Sequence, residues 1–187
     1  MLTITDLFDL DHTIAKDYLA QFTYPWEALA GIKDFILSVG PTLEDYDEVS
    51  PQVWVHKTAT VAPTAYLGGP CIIGPETEVR HCAFIRGSAL VGAGCVVGNS
   101  VELKNVILFD GVQTPHYNYV GDSILGYKSH MGAGSITSNV KSDKLPVVVR
   151  CGDERIDTGR KKVGAMLGDF VEVGCNSVLN PGSVIGR

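Results

Sequence analysis

Two periodicities divide the chain. Up to about residue 50 the apolar positions recur at helical spacing: Ile14, Tyr18 and Phe22, then Trp26, Leu29, Ile32, Phe35, Ile36 and Val39. Gly40 and Pro41 stop the second run. This predicts a short helical cap packed on the main domain, with its aromatic residues serving as core. From Val55 the beat becomes six residues, with aliphatic positions at Val55, Val61, Leu67, Ile73, Val79, Ile85, Val91, Val97 and Leu103. Two places before most of them stands a smaller residue: Ala59, Ala65, Cys71, Thr77, Ala83, Ala89, Cys95 or Val101. Strand alternation turns i and i−2 to the same side, so both fill one interior. One omitted residue moves the beat to Leu108, Thr114 and Val120. A second leads to Leu125, Met131 and Thr137, and the beat resumes at Leu167, Val173, Leu179 and Ile185.

A six-residue repeat is solved by a parallel β-helix, in which each unit stacks on the one before and none is stable alone. Hexads of this aliphatic-Gly kind resemble the left-handed β-helix, with three hexads to a coil. The predicted fold is an all-β main domain, a left-handed parallel β-helix over residues 51–187, preceded by an acidic helical segment over 1–50. An antiparallel sandwich would instead show period-two strands joined by hairpin turns. Residues 140–162 interrupt the hexads with seven bases and four acids, in a chain of net charge −6. A loop of that length in a compact domain is usually functional or disordered. It reads either as a solvated excursion or as a supply of cations to an anionic substrate.

Composition adds mostly exclusions. The acidic balance and the lack of a basic stripe argue against nucleic acid or an anionic membrane as partner. No apolar run approaches the ~18 residues of a membrane span, and the start has no signal-peptide pattern, so a soluble cytoplasmic protein is expected. The five cysteines are odd in number and form no C-x-x-C. They read as reduced thiols, mostly core fillers, with no metal site signalled.

The three-hexad coil predicts which residues stack, one rung being ~4.8 Å. Arg86 and Lys104 fall 18 apart on one edge, where two unpaired cations would call for an anion from outside. Glu102 points outward with Tyr119 stacked on it, and His116 stands at a corner in a column with Asn99 and His81. Cations that hold a phosphate near an imidazole suit attack by an amine or hydroxyl on an activated acyl group, with the imidazole removing the proton.

The stretch VELKNVILFDGVQTPHYNYVGDSILGYKSHMGAGSITSN closely resembles the acetyltransferase half of the bifunctional glucosamine-1-phosphate acetyltransferase and N-acetylglucosamine-1-phosphate uridyltransferase, archaeal relatives included. The likeness covers about residues 53–187. It implies acetyl-CoA as co-substrate, an amino-sugar 1-phosphate as acceptor, a place in nucleotide-sugar biosynthesis and a homotrimer with sites at its boundaries. It further implies His116 as general base, and Arg86, Lys104 and Tyr119 on the sugar phosphate with Glu102 and Asn139 nearby. A loop lysine corresponds to Lys141 or Lys144, and the coenzyme would lie at Ala133 and Cys175. There are three departures. His130 stands where the family has an asparagine near the substrate amine. The nucleotidyltransferase half is absent, so no uridyl transfer is expected. The chain stops at Arg187 on an intact hexad, which reads as a truncation. Two other functions compete: a non-catalytic sugar-nucleotide sensor or assembly subunit, and a zinc enzyme of the γ carbonic anhydrase kind. The zinc enzyme needs three converging histidines, whereas His81 and His116 are separated by Asn99.

Overall fold

The computed structural model describes residues 2–187. Strands stack in parallel along three faces of a solenoid. The first face carries Val53–His56, Cys71–Ile73 and Ala89–Val91, and later Ala165–Leu167 and Ser183–Ile185. The second carries Thr60–Val61, Glu78–Val79, Val96–Asn99, Gln113–His116, His130–Met131 and Glu172–Val173. The third carries Tyr66–Leu67, Phe84–Ile85, Ile136–Thr137 and Val178–Leu179. Two long strands, Glu102–Leu108 and Tyr119–Leu125, begin on the third face and turn the corner onto the first. The expected β-helix is therefore the observed fold.

The hexad positions fill the interior. Ile73, Ile85, Val91, Val97, Leu103, Leu108, Val120, Leu125, Met131 and Leu167 are fully buried, as are the smaller Cys71, Ala89 and Val101. The omitted residues shorten the register, so that Leu103 faces Val120 and Leu108 faces Leu125, 17 positions on. Corners turn through residues of positive φ, among them Ser88, Asn105 and Asp122 between the third and first faces, and Cys82, Ser100 and Tyr117 between the second and third. Asn, Asp and Ser tolerate this conformation better than bulky residues.

Except for the last, Ser183–Ile185, the strands on the first face are buried on both sides. Trp54, Ile72, Leu90, Ile107, Ile124 and Met166 form an outward column in register, and all are nearly or fully inaccessible. The residues before Val53 cover them. Ile4–Leu7, Lys16–Leu19 and Ile32–Val39 are α-helical, the turns between them are 3₁₀, and Ile4, Leu7, Leu19, Trp26, Leu29, Ile32 and Ile36 are buried. Strand Tyr46–Ser50 then pairs antiparallel with Val53–His56. This segment runs along the solenoid from its last coils to its first. Asp9 N–H donates to Asp169 at 2.7 Å, His12 stacks on Tyr127, the Asn105 amide donates to the Leu29 carbonyl at 3.1 Å, and Gly40 abuts the Trp54 ring.

The interruption at 140–162 leaves from the corner between the third and first faces. It carries structure of its own: Val148–Cys151 and Glu154–Asp157 form an antiparallel hairpin turned at Gly152, and Val140 bridges Lys162 at its base. No helix among the described residues is long and apolar enough to cross a membrane. Burial pushes the Cys71 and Cys95 thiols up to about 12, as suits core fillers, whereas Cys82 and Cys175 are exposed.

Candidate active site

The corner between the third and first faces gathers Lys104, Tyr119 and Asn139 around a carboxylate that the sequence reading missed. Asp122 is buried, and its side chain accepts from Lys104 Nζ at 3.0 and 3.1 Å, from the Asn105 amide at 2.9 Å and from the Asn139 amide at 2.6 Å. Asn139 Nδ2 also donates to the Tyr119 hydroxyl at 3.2 Å. Gly121 makes this possible, since a Cβ there would come within 2.5 Å of the Tyr119 oxygen and 3.0 Å of the Asn139 amide nitrogen. Burial first, then the charge of Asp122, holds the Tyr119 phenol above its ordinary pKa, so it stays a neutral hydrogen-bonding group.

Arg86 and Lys104 do follow one another on this corner, and Glu102 lies in register with Tyr119. The expectation that both cations await an outside anion is corrected. Arg86 is paired with Glu102 at 2.8 Å, and Lys104 with Asp122. Carboxylates of the same chain already balance the stacked charges, which removes the repulsion from which an outside anion was inferred.

His116 sits at the other edge of the third face, between it and the second. Its N–H donates to Asn118 Oδ1 at 3.2 Å, and the buried Asn118 amide in turn donates to Gly132 O, Ser135 O and Ser135 Oγ. This ties the corner to the next coil, while Tyr117, at φ 53°, makes the turn. Below it Gly98 lies so close to the Pro115 backbone that any side chain would overlap it. The imidazole is therefore presented to solvent on a fixed backbone. His116 continues the column of Asn99, and the same register sets Ala133 and then Cys175 beyond it. The three residues expected at the base and the coenzyme thus share one edge.

Two groups lie elsewhere. His130 is on the second face, bonded to Glu172 at 2.9 Å in a hollow with Lys128 and Gln113, and is not brought to Tyr119 or Asn139 within one chain. Lys141 pairs with Asp143 at 3.0 Å, and Lys144 is exposed at a turn whose N–H returns to the Lys141 carbonyl. The cluster on Asp122 had a signal in the sequence. Asn105 and Asp122 are 17 apart, the spacing of the shortened coils, and both suit a left-handed corner.

The family model described as the GMPPB C-terminal domain matches residues 68–187. The chain belongs to this family. Similar curated proteins include the bifunctional protein GlmU of Methanococcus maripaludis strain S2, 32% identical over 175 residues, covering 91% of this chain and 42% of that protein. The bifunctional sugar-1-phosphate nucleotidylyltransferase/acetyltransferase of Sulfurisphaera tokodaii is 37% identical over 83 residues, 44% of this chain and 21% of that protein. The chain thus spans less than half the length of these relatives. Solved structures with similarity include the acetyltransferase domain of PglB from Neisseria gonorrhoeae with acetyl coenzyme A, at 17% identity, TM-score 0.37, 71% of this chain and 53% of that one. GDP-perosamine N-acetyl transferase from Caulobacter crescentus gives 16% identity, TM-score 0.41, 68% and 52%.

Proposed function

We propose that this member of the GMPPB C-terminal domain family transfers acetyl from acetyl-CoA to the amine of an amino-sugar 1-phosphate, within nucleotide-sugar biosynthesis. The observation that carries the reading is the column His116, Ala133, Cys175 at one edge of the third face, with Glu102 and Tyr119 in the middle and Arg86 at the opposite edge. The small residues beyond His116 leave a ledge for the coenzyme's thioester arm. The acceptor lies across the face, its phosphate on the exposed Arg86 and its hydroxyls on Tyr119 and Asn139. The acceptor nitrogen attacks the thioester carbonyl, its proton passes to the imidazole, the C–S bond breaks, and the proton is returned to the departing thiolate. Lys104 keeps its bond to Asp122 and acts by holding the corner.

An open face needs a cover, and we assign it to a second copy of the chain in a homotrimer. The outward column of the third face is apolar at both ends: Tyr66 is 60% exposed, Phe84 43% and Val178 60%. A rotational assembly other than a dimer joins different faces of neighbouring copies, so His130 and Glu172 of one subunit would meet the third face of the next.

Release of free thiol from acetyl-CoA in the presence of glucosamine 1-phosphate tests the reading. Turnover that requires the amino sugar supports it, and none in assembled protein overturns it. A second reading, a non-catalytic sugar-nucleotide subunit, is favoured by one observation: Arg86 and Lys104 are balanced by carboxylates of their own chain. It expects sugar-nucleotide binding without thiol release.

A further inference from the structure

The hairpin of the 140–162 excursion sets Arg150 directly opposite Arg155 in its antiparallel register. Like charges facing one another across two strands are destabilising, yet both side chains are exposed, and among the described residues neither guanidinium has an ion-pair partner. Together with Lys141, Ser138, Ser142 and Asn180 they line a cleft of about 510 Å³ between the hairpin and the last coil. Every polar side chain in that lining can donate a hydrogen bond, and no carboxylate is part of it. Asp143 holds Lys141 from outside the cleft, at 3.0 Å. Asp157 shares the hairpin face and lines the adjoining hollow with Lys141 and Arg155, without an ion pair to either, and alternation turns Glu154 to the other side. Unlike Arg86 and Lys104, the two arginines have no ion-pair partner among the described residues, while Lys141 is held by Asp143.

We propose that the cleft binds the diphosphate of a nucleotide-type ligand. Side chains opposite one another in an antiparallel pair start ~4.5–5.5 Å apart, so two planar guanidinium forks reach adjacent phosphates and each can take two oxygens. Two unpaired guanidinium groups match a diphosphate better than a single phosphate, with Lys141 beside them on Asp143, and the remaining cleft has room for the attached nucleoside. Ser138 is one residue from Asn139, which places the cleft beside the Asp122 cluster. The proposal concerns binding alone, and it stands or fails separately from acetyl transfer because no turnover is needed to test it.

The test is titration calorimetry on the full chain with inorganic phosphate, pyrophosphate, ADP, coenzyme A and a nucleoside-diphosphate sugar. Pyrophosphate and ADP should bind at least about tenfold more tightly than phosphate, and Arg150→Gln or Arg155→Gln should each weaken them by about 10- to 100-fold. The melting temperature without ligand should hold or rise in both variants, since a repulsive pair is removed. Preference for coenzyme A assigns the cleft to the acyl donor, and preference for the nucleoside-diphosphate sugar assigns it to a nucleotide sugar in place of the sugar 1-phosphate proposed above. Equal binding of phosphate and pyrophosphate, or unchanged affinity in both folded variants, overturns the proposal.

Discussion

Lys104 Nζ stands 3.0 and 3.1 Å from the two oxygens of the buried Asp122, whereas Arg86, one rung away on the same corner, pairs at 2.8 Å with the more exposed Glu102. Two cations that the hexad pattern makes equivalent therefore differ in what they hold. Lys104→Ala should cost about 1.5–3 kcal/mol, because it leaves a buried carboxylate short of its charged donor. Asp122→Asn keeps a residue type that tolerates φ 49° and should lose stability because it removes the charge and sets an NH2 donor against donors of Lys104, Asn105 or Asn139. Arg86→Ala should leave the urea midpoint nearly unchanged and raise KM for the sugar phosphate. A silent Lys104→Ala would show that the Asp122 cluster does not hold the corner.

His116→Ala should lower kcat by about 10²- to 10⁴-fold with little change in KM. The thiol-release assay reads this directly. If His130→Ala abolished turnover while His116→Ala kept it, the base would be on the second face, oriented by Glu172.

Alkylation tests the coenzyme ledge. Cys82 and Cys175 are exposed, Cys71 and Cys95 buried, so the exposed pair should react in the native protein and the buried pair only after unfolding. Coenzyme A should protect Cys175 and leave Cys82 reactive. Equal protection of both, or of neither, argues against a coenzyme along the His116 column.

The same buried thiols predict a pH dependence. Burial pushes their pKa from the ordinary thiol range up to about 12, so the neutral form is favoured on folding. Their contribution is complete below pH 9 and is lost as pH rises toward 12, at up to ~1.4 kcal/mol per pH unit for each group. Stability of the Cys71→Ala, Cys95→Ala double variant, followed by denaturant melts from pH 8 to 11, should fall less steeply than that of the parent.

Sedimentation reads the proposed assembly. Phe84→Asp puts a charge in the exposed apolar column beside Tyr66, whose ring is 5.5 Å away, and should shift a trimer toward monomer at micromolar concentration. An unchanged trimer would move the boundary to another face.

The interior of the solenoid was legible because each hexad repeats the same steric requirement, so positions such as Ile73 and Leu125 announce themselves by spacing. The outer column was harder to see. Ile72, Leu90, Ile107 and Met166 are apolar where alternation calls for polar residues, a sign that something covers the first face. The helical segment was read as a cap, without the course it takes along that face. The excursion hid its hairpin in a stretch noted for charge, although Gly-Asp between two short β-prone runs is a turn signal. Asp122 was missed because Gly-Asp reads locally as a turn, and its real partners come from the coils on either side. Only the shortened register brings Lys104, Asn105 and Asn139 to it.

The covering segment also changes how such a stack must be made. A solenoid alone can assemble rung by rung, each coil resting on its predecessor. Here residues that precede the solenoid bond to its last coils, Leu7 and Asp9 to Asp169 and Arg187. The strap therefore cannot finish docking until the last coils have left the ribosome. Once closed, it makes the first and last coils fail together, so the array should unfold as one unit instead of fraying from its ends.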